Sequence, residues 1–242
     1  MKFETPLIEG VLVNRYKRFF ADVRLPSGEI VTAHCANSGS MLSCKEPGAR
    51  VWLSPASNPE RKLRYTWEII EVFGTLVGIN TGHPNRLVAE AIAAGEIKEL
   101  SGYASLKREQ KYGKNSRIDV LLEDPERPPC YVEVKNVTLK RAAGEAHPAE
   151  FPDSVTERGA KHLIEMTDMV RAGARAVMVY LVQRGDCRVF KVAGDIDPAY
   201  AKALKTAMAA GVEAVCYGCD VSPDGITIAR PLTLDLHSSA HK

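Results

Sequence analysis

RIDVLLEDPERPPCYVEVKNVTL, residues 117–139, consists of two aliphatic runs on either side of an acidic, proline-rich turn. Runs of this composition around such a turn are typical of a β-hairpin. The first run contains Asp119, and the second contains Glu133 and Lys135. A charge within a sheet core costs free energy unless it is paired or binds a metal ion. The segment therefore predicts a hairpin whose three charges serve a purpose other than packing.

The alternation of side chains along a strand predicts that the two carboxylates converge. Glu133 and Lys135 share one face of their strand. With residues 123–129 as the hairpin loop, Asp119 lies directly opposite Glu133. Facing carboxylates repel each other, and a cation between them removes that penalty. The pattern predicts a Mg²⁺ or Mn²⁺ site with Asp119, Glu133 and the backbone carbonyl of Val134 as ligands. The ammonium of Lys135 lies beside this site, as a phosphate substrate requires.

The alternative interpretation is a surface hairpin in which Glu133 and Lys135 form a solvated ion pair. We favour the metal site because the opposite face of both strands is aliphatic, which indicates that this face is buried. Its residues are Ile118, Val120, Leu122, Val132 and Val134.

The overall composition is that of an ordinary globular protein, with 242 residues, 45% of them hydrophobic and 26% charged, and a net charge of +2. No apolar run approaches the length of a membrane span, and the first residues lack the apolar stretch of a signal peptide. We therefore expect a cytoplasmic protein without a membrane partner. Cys216 and Cys219 form a lone CxxC pair, which cannot complete a four-ligand zinc site, and we interpret it as inert.

Residues 1–82 have the pattern of a small β-barrel. Short candidate strands alternate with turn-forming residues, which favours a five-stranded, OB-fold-like domain. Barrels of this kind bind nucleic acid through basic and aromatic side chains on one face. The alternative is an ordinary barrel whose aromatic residues form its core. The candidate DNA-binding residues of this region are Arg15, Lys17, Arg18, Arg61 and Lys62.

Residues 83–236 predict an α/β domain around a mixed central sheet, and residues 237–242 are expected to form a frayed tail. A helix is predicted from Pro84 to Ala94, and its Glu90 either reaches the metal site or faces solvent. A second, amphipathic helix carries three potential cations on one stripe, as a phosphate-binding face requires. These cations are Arg158, Lys161 and His162, and a further basic cluster before the hairpin comprises Lys107, Arg108, Lys111, Lys114 and Arg117.

Asp119 followed by Glu133-Val134-Lys135 matches the D…ExK signature of restriction-endonuclease-like nucleases. The segments AHCANSGSM, HPNRLVAEAI, SRIDVLL, YVEVKNVTL, FPDSVTERGAKHL and DIDPAYAKAL together resemble the sugar fermentation stimulation protein A family, over essentially the whole chain. The resemblance implies an N-terminal OB-like domain followed by a restriction-endonuclease-like domain. It implies that Asp119, Glu133 and Lys135 occupy the nuclease positions, with Glu90 as a helix carboxylate.

The family is described as DNA-binding and linked to sugar-utilisation genes. The resemblance therefore adds His34, Asn37 and Ser38 of the AHCANSGSM segment to the DNA-binding candidates. One departure from the family is Ser40, where an arginine is common. This difference predicts a weaker phosphate contact in that loop.

Two functions follow from this reasoning. The first is a metal-dependent nuclease that cleaves single- or double-stranded DNA. The second is a DNA-binding regulator of sugar (maltose) metabolism genes that keeps a nuclease fold without cutting. An intact D…ExK motif favours the nuclease, because a binder has no reason to keep carboxylates that repel each other. An RNA substrate and a homodimer are compatible with both functions, and DNA binding implies a nucleoid-associated location.

Overall fold

The computed structural model of the chain describes residues 1–58, 60–113 and 116–236. These residues form an N-terminal closed barrel followed by a mixed-sheet α/β domain, which confirms the predicted fold class. The predicted tail at 237–242 and Lys114 of the basic cluster lie outside the described residues. Within the described part of the chain, none of the helices has the length and hydropathy needed to span a lipid bilayer.

The barrel is a closed circuit of five strands with a sixth at its side. Its strands are β1 (Ile8–Tyr16), β2 (Phe20–Arg24), β3 (Ile30–Cys35), β4 (Arg50–Pro55), β5 (Tyr65–Val72) and β6 (Thr75–Gly78). The sheet order is β3-β2-β1-β4-β5-β6. A parallel contact between β3 and β5 closes the circuit, and β6 extends the sheet along β5.

The barrel closes because alternate residues of its strands are apolar and face inward. Leu12, Val23 and Trp67 are buried, and Trp67 Nε1 donates to the Ile69 carbonyl at 2.9 Å, which satisfies its one polar group. Gly10 marks a close approach of β1 to β2, since a Cβ at this position would lie 2.5 Å from Val23 Cγ1. Full burial of an aliphatic side chain contributes about 1.5–3 kcal/mol, so this core holds the domain together.

The second domain is built around a six-stranded mixed sheet. Its elements are α1 (Pro84–Ala93), a 3₁₀ helix (Lys98–Leu100), β7 (Ser105–Tyr112), β8 (Ser116–Asp124), β9 (Arg127–Val137), β10 (Ala149–Phe151), α2 (Glu157–Arg171), β11 (Arg175–Val182), β12 (Val189–Val192), α3 (Pro198–Ala209), β13 (Glu213–Ser222), β14 (Gly225–Pro231) and β15 (Thr233–Asp235). The sheet order is β14-β13-β11-β9-β8-β7. The central strands β9, β11 and β13 run parallel. Strands β10, β12 and β15 form a small separate parallel sheet.

Helices cover both faces of the central sheet. Leu87 of α1 belongs to one core with Val132 of β9, whereas Leu163 and Met166 of α2 belong to the core on the other face. Successive residues of a strand point to opposite faces. Glu133, which follows Val132, therefore lies on the face that α2 covers.

The hairpin turn between β8 and β9 is shorter than predicted. The sequence indicated a loop at residues 123–129, but only Pro125 and Glu126 connect the two strands. The N–H of Glu126 donates to Asp124 Oδ1 at 2.9 Å, a side-chain contact that stabilises the turn. The two prolines at the start of β9 are accommodated within a strand because the pairing of β9 with β11 begins only at Cys130.

The two domains contact each other through backbone hydrogen bonds. The N–H of Gly78, at the end of β6, donates to the carbonyl of Gln183 at 2.9 Å. The N–H of Phe3 donates to the carbonyl of Asp224, beside β14, at 3.1 Å. The first residues of the chain, which the sequence groups with the barrel, thus lie against the second domain.

Candidate functional site

Adjacent strands bring the residues of the predicted metal site together. Asp119 lies in β8, one position beyond the last pair that this strand forms with β9, and Glu133 and Lys135 lie in β9. The N–H of Val134 donates to Asp119 Oδ2 at 2.8 Å, and Lys135 Nζ donates to Glu133 Oε1 at 2.8 Å. At Asp119 the regular backbone pairing of β8 with β9 has ended, and the side-chain carboxylate accepts the hydrogen bond from the backbone of β9 instead.

Asn85, in the first turn of α1, also reaches this cluster. Its Nδ2 donates to Asp119 Oδ1 at 2.7 Å, so both oxygens of Asp119 accept a hydrogen bond. Sequence reasoning missed Asn85. A usable signal was its spacing, because it precedes the buried Val88 and Ala89 by three and four positions and so lies on their side of the helix.

Glu133 is held at one oxygen only. Its exposed fraction is 2%. Oε1 accepts hydrogen bonds from Lys135 and from His162 of α2, whereas Oε2 is buried without a hydrogen-bond partner among the described residues. Buried polar atoms in folded proteins nearly always have a partner. Oε2 is therefore an acceptor that a ligand from outside the chain can use.

The two carboxylates have pKa values shifted in opposite directions. Burial and the negative charge of Glu133 raise the pKa of Asp119, and the hydrogen bond from Val134 only partly offsets this. Burial alone would raise the pKa of Glu133, but the hydrogen bond from His162 and the charge of Lys135 hold it below its ordinary value. The negative charge of the pair is thus stabilised at Glu133 and disfavoured at Asp119.

Two further buried polar groups belong to this neighbourhood. Tyr112 Oη of β7 and Glu165 Oε2 of α2 have no hydrogen-bond partner in the described part of the chain. Burial, followed by the negative charges of Glu133, Glu165 and Asp119, raises the pKa of Tyr112. Sequence reasoning gave neither residue a role. The signal for Glu165 was its position three residues after His162, on the same side of the helix.

The donor set suits a hard divalent cation. Asp119, Glu133 Oε2 and the carbonyl of Val134 are oxygen donors, the type that Mg²⁺ prefers. Across residues 1–58, 60–113 and 116–236, no group of three or more His, Cys, Asp or Glu side chains is arranged to hold a metal ion. Two carboxylates that leave the other positions to water and phosphate are the usual arrangement for Mg²⁺, so the residues present fit this cation.

Glu90 does not share contacts with this cluster. Its carboxylate pairs with Arg86 Nε at 2.6 Å and with the amino group of Met1 at 3.4 Å, and 45% of its side chain is exposed. The hydrogen bond from Arg86 lowers its pKa. Of the two orientations that the sequence left open, the structure has the solvent-facing one. The i,i+4 spacing from Arg86 explains this choice, because it offers a cation on the outer side of α1.

The three predicted cations of α2 do not form one face. His162 is buried and bonded to Glu133, Arg158 is exposed with its Nε 3.4 Å from His162 Nε2, and Lys161 pairs with Glu165 at 3.8 Å. A phosphate-binding role of His162 therefore disagrees with the structure. The apolar pattern of this helix predicts a buried stripe of Ala160, Leu163, Ile164, Thr167 and Val170. Leu163 and Thr167 are buried as predicted, but Ile164 is exposed, and the stripe leaves out the buried polar His162 and Glu165.

Arg15 and Arg18 hold a loop of the barrel. Arg15 Nη2 donates to the carbonyls of Asn37 and Gly39 at 2.9 Å each, and Arg18 Nε donates to the carbonyl of Ser38 at 2.8 Å. Lys17 and Arg18 form the turn between β1 and β2 with φ values of 47° and 65°. This left-handed backbone is rare for residues other than glycine, and such strain is often found at functional sites.

The remaining barrel candidates are partly anchored and partly exposed. Asn37 is buried and donates to the Ile79 carbonyl at 3.1 Å, Arg61 donates to Thr66 Oγ1 at 3.0 Å, and His34 is half-buried in β3. Ser38 and Lys62 are exposed, as is Arg117, a candidate in β8 of the second domain. The predicted DNA-contact cations that have no carboxylate within ion-pair distance among the described residues are Arg15, Lys17, Arg18, Arg61, Lys62, Arg117 and Arg158.

Two exposed phenylalanines lie at hairpin turns of the barrel. Phe19 is 46% exposed and follows Lys17 and Arg18 in the turn between β1 and β2. Phe73 is 48% exposed in the turn between β5 and β6, near Glu71. The two aromatic rings are similarly exposed, but Phe19 directly follows two cations without a carboxylate partner among the described residues, whereas Phe73 lines a cavity that contains the ion-paired Arg141.

The loop after β3 docks the barrel against the segment that leads into α2. Ser40 Oγ donates to the carbonyl of Asp153 at 2.7 Å, and the N–H of Met41 donates to Asp153 Oδ2 at 2.8 Å. Asp153 precedes the N-cap of α2, Thr156, by three residues. At Ser40, where an arginine was expected from the family resemblance, the side chain thus makes a contact between domains.

Each of the two domains matches a known family model. A family model described as "Sugar fermentation stimulation protein RE domain" matches residues 82–225. A model described as "SfsA N-terminal OB domain" matches residues 13–79. The first model thus matches the α/β domain, and the second matches the barrel.

Similar proteins cover nearly the whole chain. Sugar fermentation stimulation protein homologs from Paramagnetospirillum magneticum and Rhodospirillum centenum are 62% and 63% identical to it, over 98% and 97% of this chain and 98% and 99% of theirs. A solved structure of SfsA from Pyrococcus furiosus, in complex with Ca²⁺, is 29% identical. It superimposes with a TM-score of 0.85 over 97% of this chain and 98% of that chain.

Proposed function

The chain belongs to the sugar fermentation stimulation protein family, and we propose that it is a nuclease that hydrolyses phosphodiester bonds of DNA with the help of Mg²⁺ or Mn²⁺. One observation carries this proposal. Glu133 has one oxygen held by Lys135 and His162, and its other oxygen, beside the carboxylate of Asp119, has no hydrogen-bond partner among the described residues. A carboxylate that only packs the core has no need of such an arrangement.

The residues of the site have distinct tasks in this reaction. Asp119, Glu133 Oε2 and the Val134 carbonyl would hold the cation. When bound, the cation supplies Lewis acidity and lowers the pKa of a bound water. Lys135 Nζ, 2.8 Å from Glu133 Oε1, places a positive charge at the edge of the site. This charge stabilises the negative charge that develops on the phosphate.

Cation binding is also supported by the relative from Pyrococcus furiosus, which was solved in complex with Ca²⁺. Ca²⁺ is a hard cation with oxygen ligands, as is Mg²⁺. The two ions differ in the number of ligands that they take, so a site with two carboxylates can bind both with different affinity.

DNA binding is supported by the unpaired cations. Lys17 and Arg18 at one barrel turn, Lys62 near another, and Arg117 and Arg158 around the metal site carry charges that no carboxylate of the described residues neutralises. Phosphates along a nucleic-acid strand suit such a surface. Phe19 adds an exposed aromatic ring on which an unpaired base can stack.

A second candidate function is a DNA-binding regulator that does not cut. One observation favours it, namely that the cations without a carboxylate partner in the described part of the chain and the exposed Phe19 would serve DNA binding alone as well as they would serve cleavage. A regulator of sugar (maltose) metabolism genes in this family would bind DNA equally well with or without a cation.

Cleavage assays separate the two candidates. Purified protein is incubated with end-labelled single-stranded DNA, double-stranded DNA and RNA, with Mg²⁺, Mn²⁺ or EDTA. We expect DNA cleavage with either metal and none in EDTA, and we expect Lys135→Ala to lower the rate on the order of a hundredfold or more. Lys191→Ala is a matched control, because Lys191 of β12 is an ion-paired lysine that belongs neither to the site nor to a predicted DNA-binding cluster. Absence of cleavage of all three substrates above the Lys135→Ala level would reject the nuclease and leave the regulator.

A further inference from the structure

The contacts of His162 determine which of its ring nitrogens donates the buried hydrogen bond to Glu133. Arg158 Nε lies 3.4 Å from His162 Nε2. A guanidinium can only donate a hydrogen bond, so Nε2 must be the acceptor and carries no proton. Nδ1 is then the ring nitrogen that donates to Glu133 Oε1.

This donation determines which oxygen of Glu133 is free. His162 approaches Oε1 from α2, and Lys135 approaches the same oxygen from β9 at 2.8 Å. With two donors on Oε1, the carboxylate cannot rotate without losing both hydrogen bonds. Oε2 consequently keeps one orientation, buried and without a partner in the described part of the chain.

We propose that His162 is a positioning residue, which acts through Glu133 by holding its carboxylate so that Oε2 is presented to the cation. The proposal rests on the proposed function, because it requires a cation at Glu133. Donors behind a metal-binding carboxylate orient it, and their loss typically costs tenfold to a hundredfold in metal affinity. Arg158 supports the same arrangement by keeping the proton of His162 on Nδ1.

A purely structural role would select a different side chain at this position. His162 is followed by Leu163 and precedes Met166 by four residues, and both of these pack in the core under α2. An apolar residue of similar size would fill this space without a polar group that needs partners. The histidine brings a hydrogen-bond donor into the core, and that donor is used on the carboxylate.

The test measures metal binding without nucleic acid. Mn²⁺ is titrated calorimetrically into the wild-type protein and into His162→Leu, His162→Asn and His162→Gln. The amide of asparagine can take the position of Nδ1, whereas the amide of glutamine takes that of Nε2. We expect His162→Leu to weaken Mn²⁺ binding at least tenfold, His162→Asn to remain within about threefold of the wild type, and His162→Gln to resemble His162→Leu. Met166→Leu, a volume-conserving change in the same helix, is the control for packing.

The outcomes distinguish this inference from the proposed function. If the wild-type protein binds Mn²⁺ and a folded His162→Leu binds it equally well, the positioning role is wrong while the metal site stands. If His162→Leu does not fold, equal Mn²⁺ affinities of His162→Asn and His162→Gln overturn the inference. If the wild-type protein binds no Mn²⁺, the proposed metal site itself is rejected, and the positioning role is rejected with it.

Discussion

Replacing Asp119 and Glu133 by their amides should affect the stability of the metal-free protein very differently. The pKa of Asp119 is raised, so the fold disfavours its charge, whereas the pKa of Glu133 is lowered, so the fold favours its charge. Removing the charge therefore relieves repulsion at Asp119 and removes attraction at Glu133. The two changes are chemically identical, and each serves as the control for the other.

The magnitude for Glu133→Gln follows from its two hydrogen bonds. Lys135 and His162 both donate to Oε1. A hydrogen bond to a charged group contributes about 1.5–3 kcal/mol and a neutral one about 0.5–1.5 kcal/mol, so neutralising the acceptor of two bonds costs about 2 kcal/mol. The new amide group would in addition occupy the position of the buried Oε2.

Asp119→Asn keeps its hydrogen bonds. The asparagine oxygen can accept from the N–H of Val134, and its amide can donate to Asn85 once the amide of Asn85 is flipped. We expect the free energy of unfolding to stay unchanged or to rise by up to about 1 kcal/mol, since the repulsion from Glu133 is removed.

Urea unfolding in EDTA near neutral pH, followed by far-ultraviolet circular dichroism, measures both changes. A shift of the midpoint at constant slope reports stability alone. The reasoning is refuted if Asp119→Asn destabilises the protein as much as Glu133→Gln does. It is also refuted if Glu133→Gln leaves the midpoint where it is in the wild type.

Three further predictions concern the rest of the molecule. Burial alone would raise the pKa of Asp186, but hydrogen bonds from Arg184 and Lys140 hold it at about 2 against an ordinary 3.8. The stability from these contacts is present above pH 3.8 and is lost as the pH falls towards 2, so Asp186→Asn should remove about 2 kcal/mol at neutral pH and flatten the acid side of the stability profile. Lys17→Ala combined with Lys62→Ala should flatten the dependence of log DNA affinity on log salt by about 0.7–0.9 per lost phosphate contact. Lys191→Ala, which removes an ion-paired surface lysine, is the control. If the double variant has the same slope as this control, the barrel is excluded from the DNA interface. Phe19→Ala should weaken single-stranded DNA binding about fivefold to a hundredfold, the equivalent of one stacked base; if Phe73→Ala has the same effect, stacking on Phe19 is rejected.

The charged cluster of the hairpin was accessible to sequence reasoning because it follows strand periodicity. Two charges two positions apart in a strand must share one face, whichever role they have, and the structure places Glu133 and Lys135 on one face with Asp119 beside them. The fold class was accessible for the same reason, since alternating and helical patterns are set by the core that each domain buries.

The helix residues around the site were not accessible in this way. A period of 3.6 residues identifies the buried side of a helix by its apolar residues. On α2, the polar His162 and Glu165 are buried and Ile164 is exposed, so the apolar pattern identified only part of the buried side. On α1, the sequence indicated the charged Glu90 as the candidate, whereas the residue that reaches the site is the uncharged Asn85. Buried positions are found by their apolar residues, so buried polar residues that serve a site are missed by this rule.

The docking of the Ser40 loop onto Asp153 limits how this protein can be recombined. The oxygens of Asp153 accept from Ser40 and from the N–H of Met41, a few residues before the helix that carries His162. A barrel transplanted from an unrelated protein would leave these partly buried groups without their partners, and each lost hydrogen bond costs about 0.5–1.5 kcal/mol. The barrel and the α/β domain are therefore fitted to each other at this contact, and we expect that a chimera needs the loop and the Asp153 segment to be exchanged together.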